Sequence, residues 1–78
     1  MHRTTASLPM PATAQDRAEH RQRIEVLSLG AEVEIHRPGH MVVGGHRFYA
    51  LHSQSRVLLR APGGELLRTP MWWVRPAA

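Results

Sequence analysis

At 78 residues the chain has room for one domain, and its lack of cysteine excludes a disulfide framework and a thiolate metal site as sources of stability. Its formal net charge of +4 is uneven, because residues 35–78 carry six arginines against Glu65 alone, a net +5. No apolar run approaches the ~18–20 residues that cross a bilayer, and no secretory signal is apparent, so a cytoplasmic location is expected.

Residues 1–11 show no periodicity and contain two prolines, Pro9 and Pro11. This composition predicts a flexible N-terminal arm, followed by a single small domain over residues 12–78. Thr13 and Asp16 then match a capping box, in which a hydroxyl and a carboxylate satisfy the free N–H groups at a helix start. The pair predicts a helix that begins at Ala14.

The predicted helix runs from about Ala14 to Leu29, and Gly30 is expected to end it in the left-handed conformation. The first two turns offer only Ala18 to a core. The helix is therefore expected to dock by its C-terminal half, through the apolar residues Ile24, Val26, Leu27 and Leu29. Because Ile24-Glu25-Val26 also alternates, a strand over residues 24–29 is an alternative interpretation.

From Ala31 onward the hydrophobic pattern has a period of two, which is typical of a half-buried strand. It places Ala31, Val33 and Ile35 on one face and Glu32, Glu34 and His36 on the other. Pro38-Gly39 fits the centre of a type II turn. Gly44-Gly45 indicates a two-residue hairpin turn between strands over residues 41–43 and 46–52.

Further strands are predicted at residues 56–60 and 65–69, separated by the loop 61–64, after a break at residues 53–55. Pro70 interrupts the last run, so residues 71–75 form either a bent continuation on a sheet edge or a separate short strand. The predicted fold is α+β: one N-terminal helix followed by a small antiparallel sheet of about four to five short strands, as a meander or small curved barrel. Leucine doublets at residues 58–59 and 66–67 give both faces of this sheet apolar side chains, and the second face needs cover.

Chemistry-bearing motifs are few. Four of the six histidines, His36, His40, His46 and His52, fall on consecutive strands and turns, but their spacing matches no metal motif, and they are expected on the polar side of strands. No nucleophile elbow, phosphate loop or catalytic carboxylate pair is present. The sequence therefore predicts neither an enzyme nor a metal, cofactor or small-molecule site.

Arginines interleaved with aromatics are the remaining signal. The candidate binding residues are Arg47, Tyr49, Arg56, Arg60, Arg68, Trp72, Trp73 and Arg75. If residues 71–75 form a strand, Trp72 and Trp73 point to opposite faces, so that one indole is expected outside the core. Such a tryptophan could anchor a protein interface, stack on a base, or simply cover the bent edge of the sheet.

Two functional hypotheses follow. The first is a small non-enzymatic protein that binds another protein, as an inhibitor, adaptor or small subunit, or that pairs with itself as a homodimer. Its size alone suggests a phage or mobile-element origin. The alternative is a basic accessory or regulatory protein that binds nucleic acid through the arginines and aromatics of its sheet. No membrane partner is expected.

Overall fold

The computed structural model describes residues 6–77, which form one α-helix followed by five antiparallel strands. The elements are α1 (Ala14–Glu25), β1 (Glu32–Ile35), β2 (Val43–Leu51), β3 (Arg56–Arg60), β4 (Leu66–Pro70), a 3₁₀ turn (Met71–Trp73) and β5 (Val74–Pro76). The predicted α+β class, with an N-terminal helix and a small antiparallel sheet, is confirmed. Residues 1–5 of the predicted flexible arm lie outside the described residues.

The strands form one sheet in the order β4-β3-β2-β1-β5, with every neighbouring pair antiparallel. In a flat sheet of this order the two edge strands would lie about 19 Å apart. Yet β4 and β5 are joined only by Met71–Trp73, which spans at most about 14 Å even when extended. The sheet is therefore strongly curled, and the helix packs against its concave side.

Helix α1 begins as predicted. The Asp16 amide donates to Thr13 Oγ1 at 3.0 Å, and the Thr13 amide donates to the Asp16 carboxylate at 3.4 Å. The helix ends at Glu25, four residues before the predicted end, and the strand alternative for residues 24–29 is wrong. The chain leaves the helix early because a turn at Gly30, with φ of +85°, brings Ala31 beside β2, where the Phe48 amide donates to its carbonyl at 2.8 Å.

This early end changes which residues dock the helix. Ile24 is fully buried, but Val26 and Leu29, predicted to share the core with it, are exposed. His20, one turn before Ile24, is also buried, whereas Ala18 is exposed. Residues four apart lie on one helix face, so His20 and Ile24 form the inward stripe of α1.

Two glycine turns were predicted between β1 and β2, and one of them is wrong. The turn at Pro38-Gly39 is confirmed: Gly39 has φ of +77°, and the His40 amide donates to the Arg37 carbonyl. Gly44-Gly45 lies inside β2 as a β-bulge, in which two residues oppose one on β1. A type I′ turn needs positive φ at both positions, and only Gly45 has it, at +79°.

The core lies on the concave side of the sheet, under the helix. It consists of Ile24, Val33, Phe48, Val57, Leu59, Met71 and Val74. Strand β3 has the predicted bounds, and β4 is shifted by one residue. Residues 71–75 take neither predicted form as a whole, because Met71–Trp73 is a 3₁₀ turn and only the short strand β5 after it is extended. Strand β5 pairs with β1 at the far edge of the sheet.

Candidate functional site

Four of the predicted binding arginines lie on the convex side of the sheet. Residues directly opposite in an antiparallel pair share a face, and the register pairs Arg47 with Arg60, Leu58 with Arg68 and Arg56 with Pro70. The alternate residues Val57 and Leu59 are buried in the core. We call this convex surface the basic face: Arg47, Tyr49, Arg56, Leu58, Arg60, Leu66 and Arg68.

Arg47 and Arg60 stand directly opposite each other on β2 and β3. Like charges in this position repel, and each guanidinium turns to a backbone carbonyl. Arg47 donates to Gly30 O at 3.0 Å, and Arg60 donates to Gly64 O at 2.6 Å. These contacts fix the two side chains on the surface but leave both positive charges in place.

No carboxylate of the described residues forms an ion pair with these arginines, although Glu32 lies opposite Arg47 on β1. Within residues 6–77 the only ion pair is that of His36 with Glu34, at 3.2 Å. The four arginines of the basic face are all exposed to solvent. The face therefore holds four exposed arginines without an ion-pair partner in this part of the chain, an arrangement that favours an anionic partner.

Apolar side chains interleave with these arginines. Tyr49 is 40% exposed and lies under the Arg60 guanidinium, whose Cζ is 5.2 Å from the ring centroid. Leu66, opposite Arg60, is 44% exposed, and Leu58 is half-buried. A groove of about 280 Å³ continues the surface between Leu29 and the arginine pair. The basic face is thus amphipathic.

The three other predicted site residues, Trp72, Trp73 and Arg75, lie in the 3₁₀ turn and β5 on the far edge of the sheet. Because the segment turns instead of extending, the two indoles do not alternate, and the expectation of one outward tryptophan is wrong. Both are half-buried. An arginine covers each ring, Arg21 over Trp72 and Arg37 over Trp73, both at 5.4 Å from the centroid.

Arg75 joins the 3₁₀ turn to the N-terminal segment. Its guanidinium donates to the carbonyls of Trp72 and Val74, and to that of Pro9 at 3.0 Å. The Leu8 amide donates to His36 Nδ1 at 2.9 Å. These contacts hold residues 8–11 over a cleft of about 340 Å³ that His20 and Arg75 also line.

His20 is a neutral structural donor in this cleft. Its Nε2 lies 2.8 Å from the Met71 carbonyl, which can only accept, so Nε2 carries the proton. Burial lowers the pKa of His20, the Met71 hydrogen bond opposes that effect, and the Arg75 charge adds to it. Burial likewise lowers the pKa of Arg75, and the charge of Arg23 lowers it further.

The lowered pKa of His20 predicts a loss of stability in acid. In the unfolded chain His20 takes up a proton near pH 6.5, whereas in the folded chain it does so only at lower pH. Stability from neutral His20 is therefore present above pH 6.5 and is lost as pH falls toward the folded pKa.

Urea unfolding of the wild type and of His20→Gln between about pH 5 and 8 measures this effect. The glutamine can still donate to Met71 but cannot titrate, so the variant should show a flatter pH dependence. Parallel curves for the two proteins would show that another group is responsible.

Two of the four histidines that were predicted at the surface are buried. His36 and His46 are buried, whereas His40 and His52 are exposed. His46 Nδ1 lies 3.1 Å from the Gly44 carbonyl, so the β2 bulge provides its partner. In the described part of the chain, no three histidine or acidic side chains lie close enough to hold a metal ion. No helix there is long and apolar enough to span a membrane.

Sequence reasoning missed two features that bear on function. The burial of His20 had a signal, its spacing of four residues from Ile24 on a helix that the capping box already placed. The open edge of β4 had none, because which strand lies at an edge depends on the pairing of β5 with β1, between residues about 40 positions apart. Long-range pairing of this kind leaves no local pattern.

The chain was compared with protein-family models, with curated proteins and with solved structures, and none of them matches it. Residue roles therefore cannot be transferred to it from a relative. What the protein binds has to be inferred from its own surface, above all from the basic face.

Proposed function

We propose that this protein is a small, non-enzymatic binding protein that recognises an acidic segment of another protein through the basic face. The observation that carries the proposal is the set of four exposed arginines on one sheet face without a carboxylate partner among the described residues. Arginine is enriched at the centre of protein interfaces, together with aromatic side chains. The interleaved Tyr49, Leu58 and Leu66 supply apolar area for such an interface.

A protein partner explains this surface better than nucleic acid does. Proteins that bind single strands stack bases on open aromatic rings, and here the rings of Trp72 and Trp73 lie under arginines on the far edge of the sheet. Tyr49 is the one aromatic of the basic face, and Arg60 covers its ring. Without an open aromatic ring beside them, these arginines can contact phosphates but the face cannot stack bases. Phosphate contact alone would leave the exposed leucines without a role.

The cleft beside the helix supports a non-enzymatic role. Three of its polar side chains already have structural partners: His20 donates to the Met71 carbonyl, Arg75 donates to three carbonyls, and Asp16 caps the helix. A general base or acid has to reach a substrate proton. His20 and Arg75 are instead engaged in holding α1 and the N-terminal segment on the sheet.

Fluorescence anisotropy with two labelled probes tests the proposed function. One is a synthetic peptide of about ten residues in which Glu and Val alternate, and the other is a single-stranded oligonucleotide of the same net charge. The proposal expects tighter binding of the peptide at physiological ionic strength, where Coulomb attraction alone is screened within about 8 Å. Tighter binding of the oligonucleotide, with a steep dependence on salt, would favour the nucleic-acid alternative and contradict the proposal.

A further inference from the structure

We infer that the acidic segment binds as an added strand on the open edge of β4, antiparallel or parallel to it, with acidic residues alternating with apolar ones. The inference rests on the proposed function and specifies its geometry. Addition of a strand to an exposed edge is an established mode of peptide recognition, in which backbone hydrogen bonds give affinity and alternate side chains give specificity. Three observations lead to β4.

The first observation is the set of backbone groups that β4 leaves free. The Ala61 amide donates to the Glu65 carbonyl at 2.9 Å, and the Met71 amide donates to the Ser55 carbonyl at 2.9 Å. Backbone groups alternate in direction along a strand, so the odd-numbered residues between them, Leu67 and Thr69, also point toward β3. The N–H and C=O groups of Leu66 and Arg68 therefore point to the open edge.

The second observation is that the other edge of the sheet cannot accept a strand in the same way. On β5 the Ala77 amide and the Trp73 carbonyl pair with β1, so the groups of Val74 and Pro76 face outward. Proline has no N–H, and the Val74 amide already donates to the Met71 carbonyl. Among the strands of residues 6–77, β4 is thus the edge with free donors.

The third observation is the pair of side chains that β4 presents. Leu67 lies opposite Leu59 on the core side of the sheet, yet it is 38% exposed because no strand covers it. Arg68 lies on the basic face. An added strand with period two would place an apolar residue on Leu67 and a carboxylate beside Arg68, since opposite residues have Cβ atoms about 5 Å apart.

The positive charge of the basic face favours an acidic segment over a second copy of this chain as the occupant of the β4 edge. Pairing of two β4 edges would bring the arginines of two basic faces side by side, and residues 35–78 already carry a net charge of +5. Like charges across an interface suppress association. The occupant is therefore an acidic extended segment, and self-pairing is one outcome of the test.

Residue-resolved amide exchange by NMR, with the alternating peptide described above, tests the geometry directly. At a free peptide concentration about ten times its Kd, the amides of Leu66 and Arg68 should exchange about tenfold more slowly. The Val74 amide on the opposite edge should be unchanged. A peptide of the same composition, with Glu and Val in two blocks, is the matched control and should protect neither amide.

Two N-methylated versions of the peptide provide a second readout. In one version the odd-numbered backbone nitrogens are methylated, and in the other the even-numbered ones. One version therefore lacks the N–H donors that face β4, and the other lacks those that face solvent. One version should bind like the parent peptide and the other should lose at least about tenfold in affinity, the equivalent of one lost hydrogen bond. Equal affinities would contradict strand addition.

The outcomes separate the two proposals. If the peptide binds without slowing exchange at Leu66 and Arg68, strand addition is wrong and the proposed function stands. If the peptide does not bind at all, both are wrong. If the same two amides become protected without peptide as the protein concentration rises, a second copy occupies the edge and the inference is overturned.

Discussion

Replacement of Ile24 by alanine is expected to lower the free energy of unfolding by about 2–5 kcal/mol. Ile24 is 0% exposed, and it is the apolar side chain by which α1 enters the core. A chain of 78 residues has a total stability of only about 4–12 kcal/mol. The variant should therefore be partly unfolded at room temperature or close to it, which circular dichroism and urea titration measure.

Two matched variants control this experiment. Ile24→Val removes one methylene and should cost about 0.5–1.5 kcal/mol, so it stays folded and keeps the effect measurable. Val26→Ala changes a residue two positions on that is 79% exposed, and it should change stability by less than about 0.5 kcal/mol. If Val26→Ala cost as much as Ile24→Ala, the helix would dock by the longer apolar face that the sequence predicted.

The features that the sequence predicted correctly have local causes. Thr13 and Asp16 are three residues apart and cap the helix through each other, and Pro38-Gly39 forms its turn from the φ preferences of two adjacent residues. Strand β3 has the predicted bounds because a polar turn and a Pro-Gly-Gly loop border it on either side. In each case the residues that determine the structure are neighbours in the chain.

The incorrect predictions concern residues whose place depends on distant partners. A positive φ at Gly45 serves a hairpin turn or a bulge equally well, and the pairing of β1 with β2 decides between them. The alternating pattern predicted His36 on the exposed face. Its ring instead accepts a hydrogen bond from the amide of Leu8, 28 residues earlier in the chain. Trp72 and Trp73 fall in a 3₁₀ turn because the chain has to pass from one edge of a curled sheet to the other.

The candidate site, too, was predicted only where neighbouring residues determine it. The sequence predicted the arginines and Tyr49 of the basic face as binding residues, but it did not separate them from Trp72, Trp73 and Arg75. That separation follows from strand order, which places β4 and β5 at opposite edges. The lack of ion pairs at the described arginines could not be predicted either, because Glu32 and Arg47 are cross-strand neighbours and still form no ion pair.

Reversal of two charges, Arg56→Glu with Arg68→Glu, is expected to weaken binding of the alternating Glu/Val peptide by about 30-fold or more. Each substitution removes one attraction and adds one repulsion, and the two act on the same face. These positions are the suitable ones because Arg47 and Arg60 also hold the carbonyls of Gly30 and Gly64. Both side chains are exposed, so the fold should tolerate the changes, as a urea titration can verify.

Anisotropy titration of the peptide against this double variant, the wild type and Arg17→Glu determines whether the binding site lies on the basic face. Arg17 lies on the exposed face of α1, so its reversal changes the net charge without touching the basic face. We predict that Arg17→Glu keeps its affinity within about threefold of the wild type, since rim charges contribute little, while the double variant loses binding. The double variant changes the net charge by about four units and Arg17→Glu by about two. If Arg17→Glu lost half as much binding free energy as the double variant, or more, the peptide would sense only net charge, and a binding site on the sheet would be contradicted.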